Sequence, residues 1–347
     1  MRRALALLLT LCLLLLGGCA SREEPLTRYT HSFFGTFDTF IVLTGYAASQ
    51  EDFDRAAQAC EASFRYYDDL FDPYVHSDTV QNVWNLNQTA WKEPVVVSAD
   101  MMELLLQCKE RAATLSPVVN PAMGRVLSLW HDARENAEYD PATAALPDMA
   151  ELSAAAEHMS LDDLILDPEA MTVYYADPLL RLDLGAVAKG YAAGKVAAQL
   201  KEMLPVFSLN AGGNLVLGPS PEDGWKVSVQ HPDKALVGED DAYLCTLKVE
   251  NCAVVTSGDY QRYYVVDGQR LHHIIDPETL MPATHVRAVT IIAPESGLAD
   301  WLSTAAFVLP YEEGRALIDS LQDVEALWYL PDGDVHLTDG FARYIIE

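Results

Sequence analysis

The residues between 207 and 256 decide the fold: FSLNAGGNLVLGPSPEDGWKVSV (Phe207–Val229) and, after a loop, LCTLKVENCAVVT (Leu244–Thr256). Phe207 to Leu209, Leu215 to Leu217, Trp225 to Val229, Leu244 to Val249 and Ala253 to Thr256 read as short strands separated by Gly, Pro or Asp turns. Downstream, Tyr263 to Val266 and Leu271 to Ile275 form a hairpin across Asp267-Gly268. Val289 to Ala293 is a further strand, Leu298 to Leu309 a helix, and residues 324–338 close with two strands. Upstream, Thr172 to Tyr175 and Leu180 to Leu182 alternate as strands, and Val187 to Leu204 has helical spacing. Thr36 to Leu43 reads as one strand. Glu51 to Leu70 is a helix with Phe53, Ala56, Ala57, Cys60 and Phe64 on one face. Ser98 to Leu115 is a second helix, with Ser98 as its N-cap and Pro117 as its stop. Residues 131–160 read as a surface excursion with short helices. Strands and helices mix without the regular alternation of a doubly wound sheet, so the expected class is α+β in one domain.

The 347 residues are 50% apolar and 21% charged, which excludes wholesale disorder and fibrous repeats. No period of 20–50 residues marks a solenoid. Lys and Arg number 23 against 51 Asp and Glu, a net charge of −28. Such a surface repels nucleic-acid phosphates, and no Lys/Arg cluster offsets it, so nucleic acid is not an expected partner. A phosphate ligand needs metal ions or backbone N–H groups around it.

Arg2-Arg3 followed by an apolar run from Ala4 to Leu16 reads as a targeting segment too short to span a bilayer. It closes on Leu16-Gly17-Gly18-Cys19, which looks like a bacterial lipobox. The expected division is a signal at residues 1–18, a lipidated Cys19 with a tether to residue 28, and a domain at 29–347. Cleavage would leave a chain held outside the cytoplasm on the cell membrane. An ordinary signal peptide or an uncleaved anchor are the alternatives. Cys60 and Cys108 fall in helical patterns and are expected in the core, whereas Cys245 and Cys252 are either bridged or free.

Four segments can carry chemistry. RLDLGAVAKGY (Arg181–Tyr191) runs from a strand through a Gly turn into a helix. Its free N–H groups can hold an anion, with Lys189 in reach and Asp183 before the turn; a capped helix start is the plainer reading. Asn210-Ala-Gly-Gly-Asn214 lets backbone approach a ligand, or simply turns. It does not open a helix as a dinucleotide fingerprint does. Thr256-Ser-Gly-Asp-Tyr260 is followed by Arg262 and by His272-His273, of which one faces each side of a strand. Asp300 and Thr304 are one helical turn apart on a shared face, oxygen donors suited to Mg²⁺ or ordinary caps.

In order, six blocks resemble the ApbE family of flavin transferases: FFGTFDTF at 33–40, NPAMGRVLSLW at 120–130, RLDLGAVAKGYAAGKVA at 181–197, LNAGGNLVLGP at 209–219, TSGDYQRYYVVDGQRLHHIIDPETLMPA at 256–283 and VTIIAPESGLADWLSTAAFVL at 289–309. The resemblance implies a T-fold-related α+β domain of mainly antiparallel sheets with packed helices. It implies Mg²⁺-dependent transfer of the FMN half of FAD, through a phosphoester, to a Thr or Ser of a target protein, with release of AMP. Targets in the family are subunits of Rnf or Na⁺-translocating NADH:quinone reductase type complexes. Position by position, Asp183 and Lys189 match FAD-binding residues, with Ile274, Tyr74, Ala122, Met123 and Phe34 near flavin or adenine contacts. Phe34 stands where many members have Met. Asp300 and Thr304 match Mg²⁺ ligands, Ala186 a backbone-carbonyl ligand, and Ser303 the place of a further acidic ligand. His273 matches the candidate base. An FAD pyrophosphatase and a non-catalytic FAD-binding lipoprotein are the rival readings.

Overall fold

A computed structural model describes residues 25–221, 223–238 and 241–346. The leader and Cys19 lie outside the described residues. In chain order the strands are β1 (Thr27–Thr36), β2 (Thr39–Ala47), β3 (Val95–Val96), β4 (Leu164–Asp167), β5 (Thr172–Tyr175), β6 (Val206–Ala211), β7 (Asn214–Leu217), β8 (Trp225–Gln230), β9 (Tyr243–Val249), β10 (Cys252–Gly258), β11 (Tyr263–Val266), β12 (Gln269–His272), β13 (Ala288–Ala293), β14 (Glu325–Tyr329) and β15 (Val335–Leu337). The helices are α1 (Gln50–Phe71), α2 (Val83–Thr89), α3 (Ala99–Thr114), α4 (Gly124–Tyr139), α5 (Met149–Ala156), α6 (Ala188–Lys201), α7 (Ser296–Val308) and α8 (Tyr311–Asp319).

The principal sheet has eight strands in the order β1-β2-β6-β7-β10-β13-β14-β15, every neighbouring pair antiparallel. The fold is therefore α+β, as the strand-after-strand reading requires. The two-residue period divides the sheet's faces. Val255, Val289 and Ile291 point into a core with Leu302, Phe307 and Trp328. Val254 and Ile292 point the other way, against Val229 and Leu247 of the small β8–β9 sheet. Strand β13, AVTIIA, is buried at all six positions because both of its faces are covered. Helices α1 and α6 pack with β2 and β6 in the largest core, which also holds Trp301 of α7. Each such large apolar side chain contributes about 1.5–3 kcal/mol when fully buried.

Three sequence expectations change. The strand expected at Thr36–Leu43 is a hairpin: Phe37 and Asp38 turn the chain at φ 50° and 48°, without a glycine at either position. The turn is held from afar, by the Asp68 carboxylate accepting from the Phe37 N–H (2.6 Å) and Arg262 Nη2 donating to the Phe37 carbonyl (2.6 Å). Residues 180–182 are not a strand; a single parallel bridge joins Arg181 to Met123. The excursion expected at 131–160 begins inside a sixteen-residue helix, α4, whose Trp130 Nε1 donates to the Leu280 carbonyl (2.9 Å). Cys245 and Cys252 are both free, the first in the β8–β9 sheet and the second in the principal sheet. Cys60 and Cys108 are buried as expected, and burial pushes both thiols up to about 12.

Candidate active site

Helix α6 meets α7 at Gly190. A Cβ there would lie 2.3 Å from the Asp300 Cβ, so only glycine admits this approach. The approach reorganises the first turn of α6. The Gly190 N–H, which would otherwise close that turn onto the Ala186 carbonyl, donates instead to Asp300 Oδ2 at 2.7 Å. No described backbone N–H bonds to the Ala186 carbonyl, which keeps both lone pairs. Asp300 is 6% exposed. Burial raises its pKa, against the charge of Lys189 and the neighbouring Asn214 side chain, which lower it. Asn214, 2% exposed, keeps Nδ2 buried without a hydrogen-bond partner.

These groups open onto a cleft of ≈ 370 Å³ that also meets Tyr74, Met123, Asp183, Arg262, His273, Ile274 and Thr304. One wall is aromatic: Tyr74 stacks on His131 with ring centroids 4.0 Å apart, and Phe37 and Trp130 line the cleft as well. Asp183 accepts from the Tyr74 hydroxyl (2.8 Å) and from the Gly185 N–H (2.8 Å), which fixes the Gly turn ahead of α6. The other wall is cationic despite the protein's net charge. Burial lowers the pKa of Lys189, with Asp300 opposing and Arg262 adding to the shift.

His273 lies past the end of β12. Its Nδ1 is 3.2 Å from the Arg262 carbonyl, an acceptor only, so Nδ1 carries the proton and Nε2 the lone pair. Partial desolvation in the cleft, then Arg262, Lys189 and His272, lower its pKa. Part of the ring meets cleft water, which softens that depression, but its direction keeps the imidazole neutral at pH 7. His272 faces the opposite side, bonded through Nε2 to the Ala283 carbonyl (2.8 Å) and packed edge-on to Phe307.

The donor set fits a hard cation. Asp300, Thr304 and the Ala186 carbonyl offer three oxygens, the ligand type that suits Mg²⁺. Among the described residues no cluster of three or more His, Cys, Asp or Glu forms a self-sufficient metal cage. Lys189 and Arg262 fit an anionic substrate.

The ApbE family description matches residues 34–328. The chain belongs to the ApbE family. Two relatives named FAD:protein FMN transferase come from Treponema pallidum (strain Nichols) and Klebsiella pneumoniae (strain 342). The first is 35% identical over 287 residues, 76% of either chain. The second is 30% identical over 259 residues, 74% of this chain and 77% of that one. The ApbE protein of Thermotoga maritima superposes with a TM-score of 0.79 at 26% identity, covering 92% of this chain and 100% of that one. The flavin transferase ApbE from Vibrio cholerae superposes at 0.74 and 21% identity, with 92% and 100% coverage, a likeness of fold.

On this ApbE framework the cleft brings together Asp183, Lys189, Ala186, Asp300, Thr304, His273, Ile274, Tyr74 and Met123. Three expected residues lie elsewhere. Phe34 is 65% exposed on β1, because Phe33 takes the inward position and strand alternation turns its neighbour out. Ala122 is fully buried in the core beside Met123. Ser303 is buried with its hydroxyl committed to the Asp300 carbonyl (3.0 Å) and the Ser257 hydroxyl (2.9 Å). Sequence reasoning missed Phe37, His131 and Arg134 as cleft residues. The two on α4 carried no separate motif.

Proposed function

We propose that the chain transfers the FMN half of FAD to a Thr or Ser hydroxyl of an acceptor protein, with Mg²⁺, releasing AMP. The observation that carries this reading is the convergence of a neutral imidazole, two cations and a three-oxygen donor set on one aromatic-walled cleft. The names of the Treponema and Klebsiella relatives support FAD as substrate and a protein as acceptor.

Asp300, Thr304 and the Ala186 carbonyl would hold Mg²⁺, which supplies positive charge to a bound diphosphate. Lys189 and Arg262 face the phosphate oxygens and offset their charge. His273 Nε2 takes the proton from the acceptor hydroxyl as its oxygen bonds to the FMN phosphorus. The bond from that phosphorus to the AMP phosphate oxygen breaks, and AMP leaves with the electron pair. His273 then returns its proton to water through the cleft. Tyr74, Phe37 and Ile274 offer the flavin and adenine rings apolar surface.

The lipobox reading of Cys19 supports a lipid-anchored enzyme outside the cytoplasm, acting on Rnf-type or Na⁺-translocating NADH:quinone reductase type subunits. The test of the metal assignment is transfer over a Mg²⁺ titration in wild type and Asp300→Ala. The variant should lose activity that high Mg²⁺ restores at most partly; full activity at ordinary Mg²⁺ would remove Asp300 as a ligand.

A further inference from the structure

A second cavity, of ≈ 690 Å³, adjoins the cleft and shares Pro73, Tyr74 and Asp183 with it as a common wall. Arg125, in the first turn of α4, and Arg181 both line this cavity. In a chain with 51 acidic and 23 basic residues an arginine is easily paired, yet neither forms an ion pair with a carboxylate among the described residues. Arg125 Nε is buried without a hydrogen-bond partner. Arg181 commits only Nη1, to the Pro178 carbonyl (3.1 Å) and the Leu180 carbonyl (2.6 Å). Each guanidinium lies within the other's field, and burial together with Arg125 lowers the pKa of Arg181. Asp177, whose charge reaches both, is already bonded to His158 Nδ1 (2.6 Å) and the Leu179 N–H (2.8 Å).

Two guanidinium groups held together with donors to spare are complementary to a dianionic oxygen group, which Arg binds through parallel N–H bonds. The remaining wall is suited to an attached base. Trp84 contributes an aromatic surface, Gln88 a polar group, and the exposed carboxylates of Asp132 and Glu151 can accept from an amino group. We infer that this cavity is a binding site for a nucleoside monophosphate, its phosphate on Arg125 and Arg181. The site is distinct from the transfer cleft and does not depend on the chemistry proposed for it.

The test is calorimetric titration of AMP into the protein saturated with FAD in EDTA, FAD occupancy being read separately from flavin fluorescence. One AMP should bind per chain without displacing FAD. Arg125→Gln should weaken AMP by about tenfold or more and leave FAD affinity unchanged, and Arg125→Lys should lose less, since it keeps the charge but not the fork. If FAD itself fails to bind, the flavin reading fails alone, and the comparison of wild type with Arg125→Gln on the free chain still decides the site. Displacement of FAD by AMP, absence of AMP binding up to about 10 mM, or equal AMP affinity in wild type and Arg125→Gln would overturn the inference.

Discussion

The Arg262 carbonyl oxygen receives two hydrogen bonds from His273, one from its backbone N–H at 3.2 Å and one from Nδ1 at 3.2 Å. One residue thus fixes both the position and the tautomer of the other, while the Arg262 guanidinium ties down the Phe37–Asp38 turn across the cleft. Held in this way, the ring is neutral and presents the Nε2 lone pair to the cleft. His273→Gln should bind FAD as wild type does and slow transfer by about 10²–10⁴-fold. Flavin fluorescence titration and AMP release measure the two effects, and an unchanged transfer rate would remove His273 as the base.

The same residue makes stability depend on pH. His273 titrates near 6.5 when unfolded, and its surroundings, Arg262 and Lys189 among them, lower its pKa in the folded chain. Below pH 6.5 the unfolded chain therefore binds a proton that the folded chain refuses. Its contribution is fully present above pH 6.5 and is lost as pH falls through the lowered folded-state value. Thermal unfolding followed from pH 7 to about pH 4 should show a smaller fall in midpoint for His273→Gln than for wild type. Parallel curves would contradict the environment assigned to this ring.

Gly190→Ala tests the α6–α7 contact. Its Cβ would collide with Asp300 Cβ and approach the Ser296 carbonyl to 2.8 Å, with no flexible atom to yield. The expected cost is about 1–3 kcal/mol by denaturant unfolding, together with a raised Mg²⁺ requirement for transfer. A variant as stable and as active as wild type would show that the helices are not this close.

Asp259 sits at the node of an ion network. It accepts from Arg270 Nη1 (3.1 Å) on the His273 hairpin and from Arg287 Nε (3.0 Å), which also grips Asp233 through two bonds of 2.7 and 2.8 Å. The network holds the loop bearing Arg262 against the hairpin bearing His273. Asp259→Asn should cost about 1–3 kcal/mol of stability and lower kcat while leaving the KM for FAD nearly unchanged. A rise in KM with constant kcat would instead place Asp259 in substrate binding.

The sheet was legible because its strands alternate with period two and are separated by Gly, Pro and Asp turns. Asp300 and Thr304 were legible as a pair because one helical turn sets them on one face. The Phe37–Asp38 turn was not, because its left-handed backbone is stabilised by partners 31 and 225 residues away rather than by a local glycine. The Ala186 carbonyl was expected only through the family resemblance, because its freedom depends on a bond from Gly190 to Asp300, 110 residues on. Phe34 shows the reverse, a residue placed by family position that the strand's alternation turns out to solvent. The unpartnered Asn214 Nδ2 required the packing of β7 against α7, which no spacing along the chain reports.

The most direct measurement combines the chain from Ser21 onward with FAD, Mg²⁺ and a Thr-bearing acceptor domain from a flavinylated respiratory subunit. AMP is followed by chromatography and the acceptor by mass spectrometry. AMP appearing in step with an acceptor heavier by one FMN unit is the predicted result. Intact FAD, or AMP with free FMN and an unmodified acceptor, would contradict FMN transfer by this cleft.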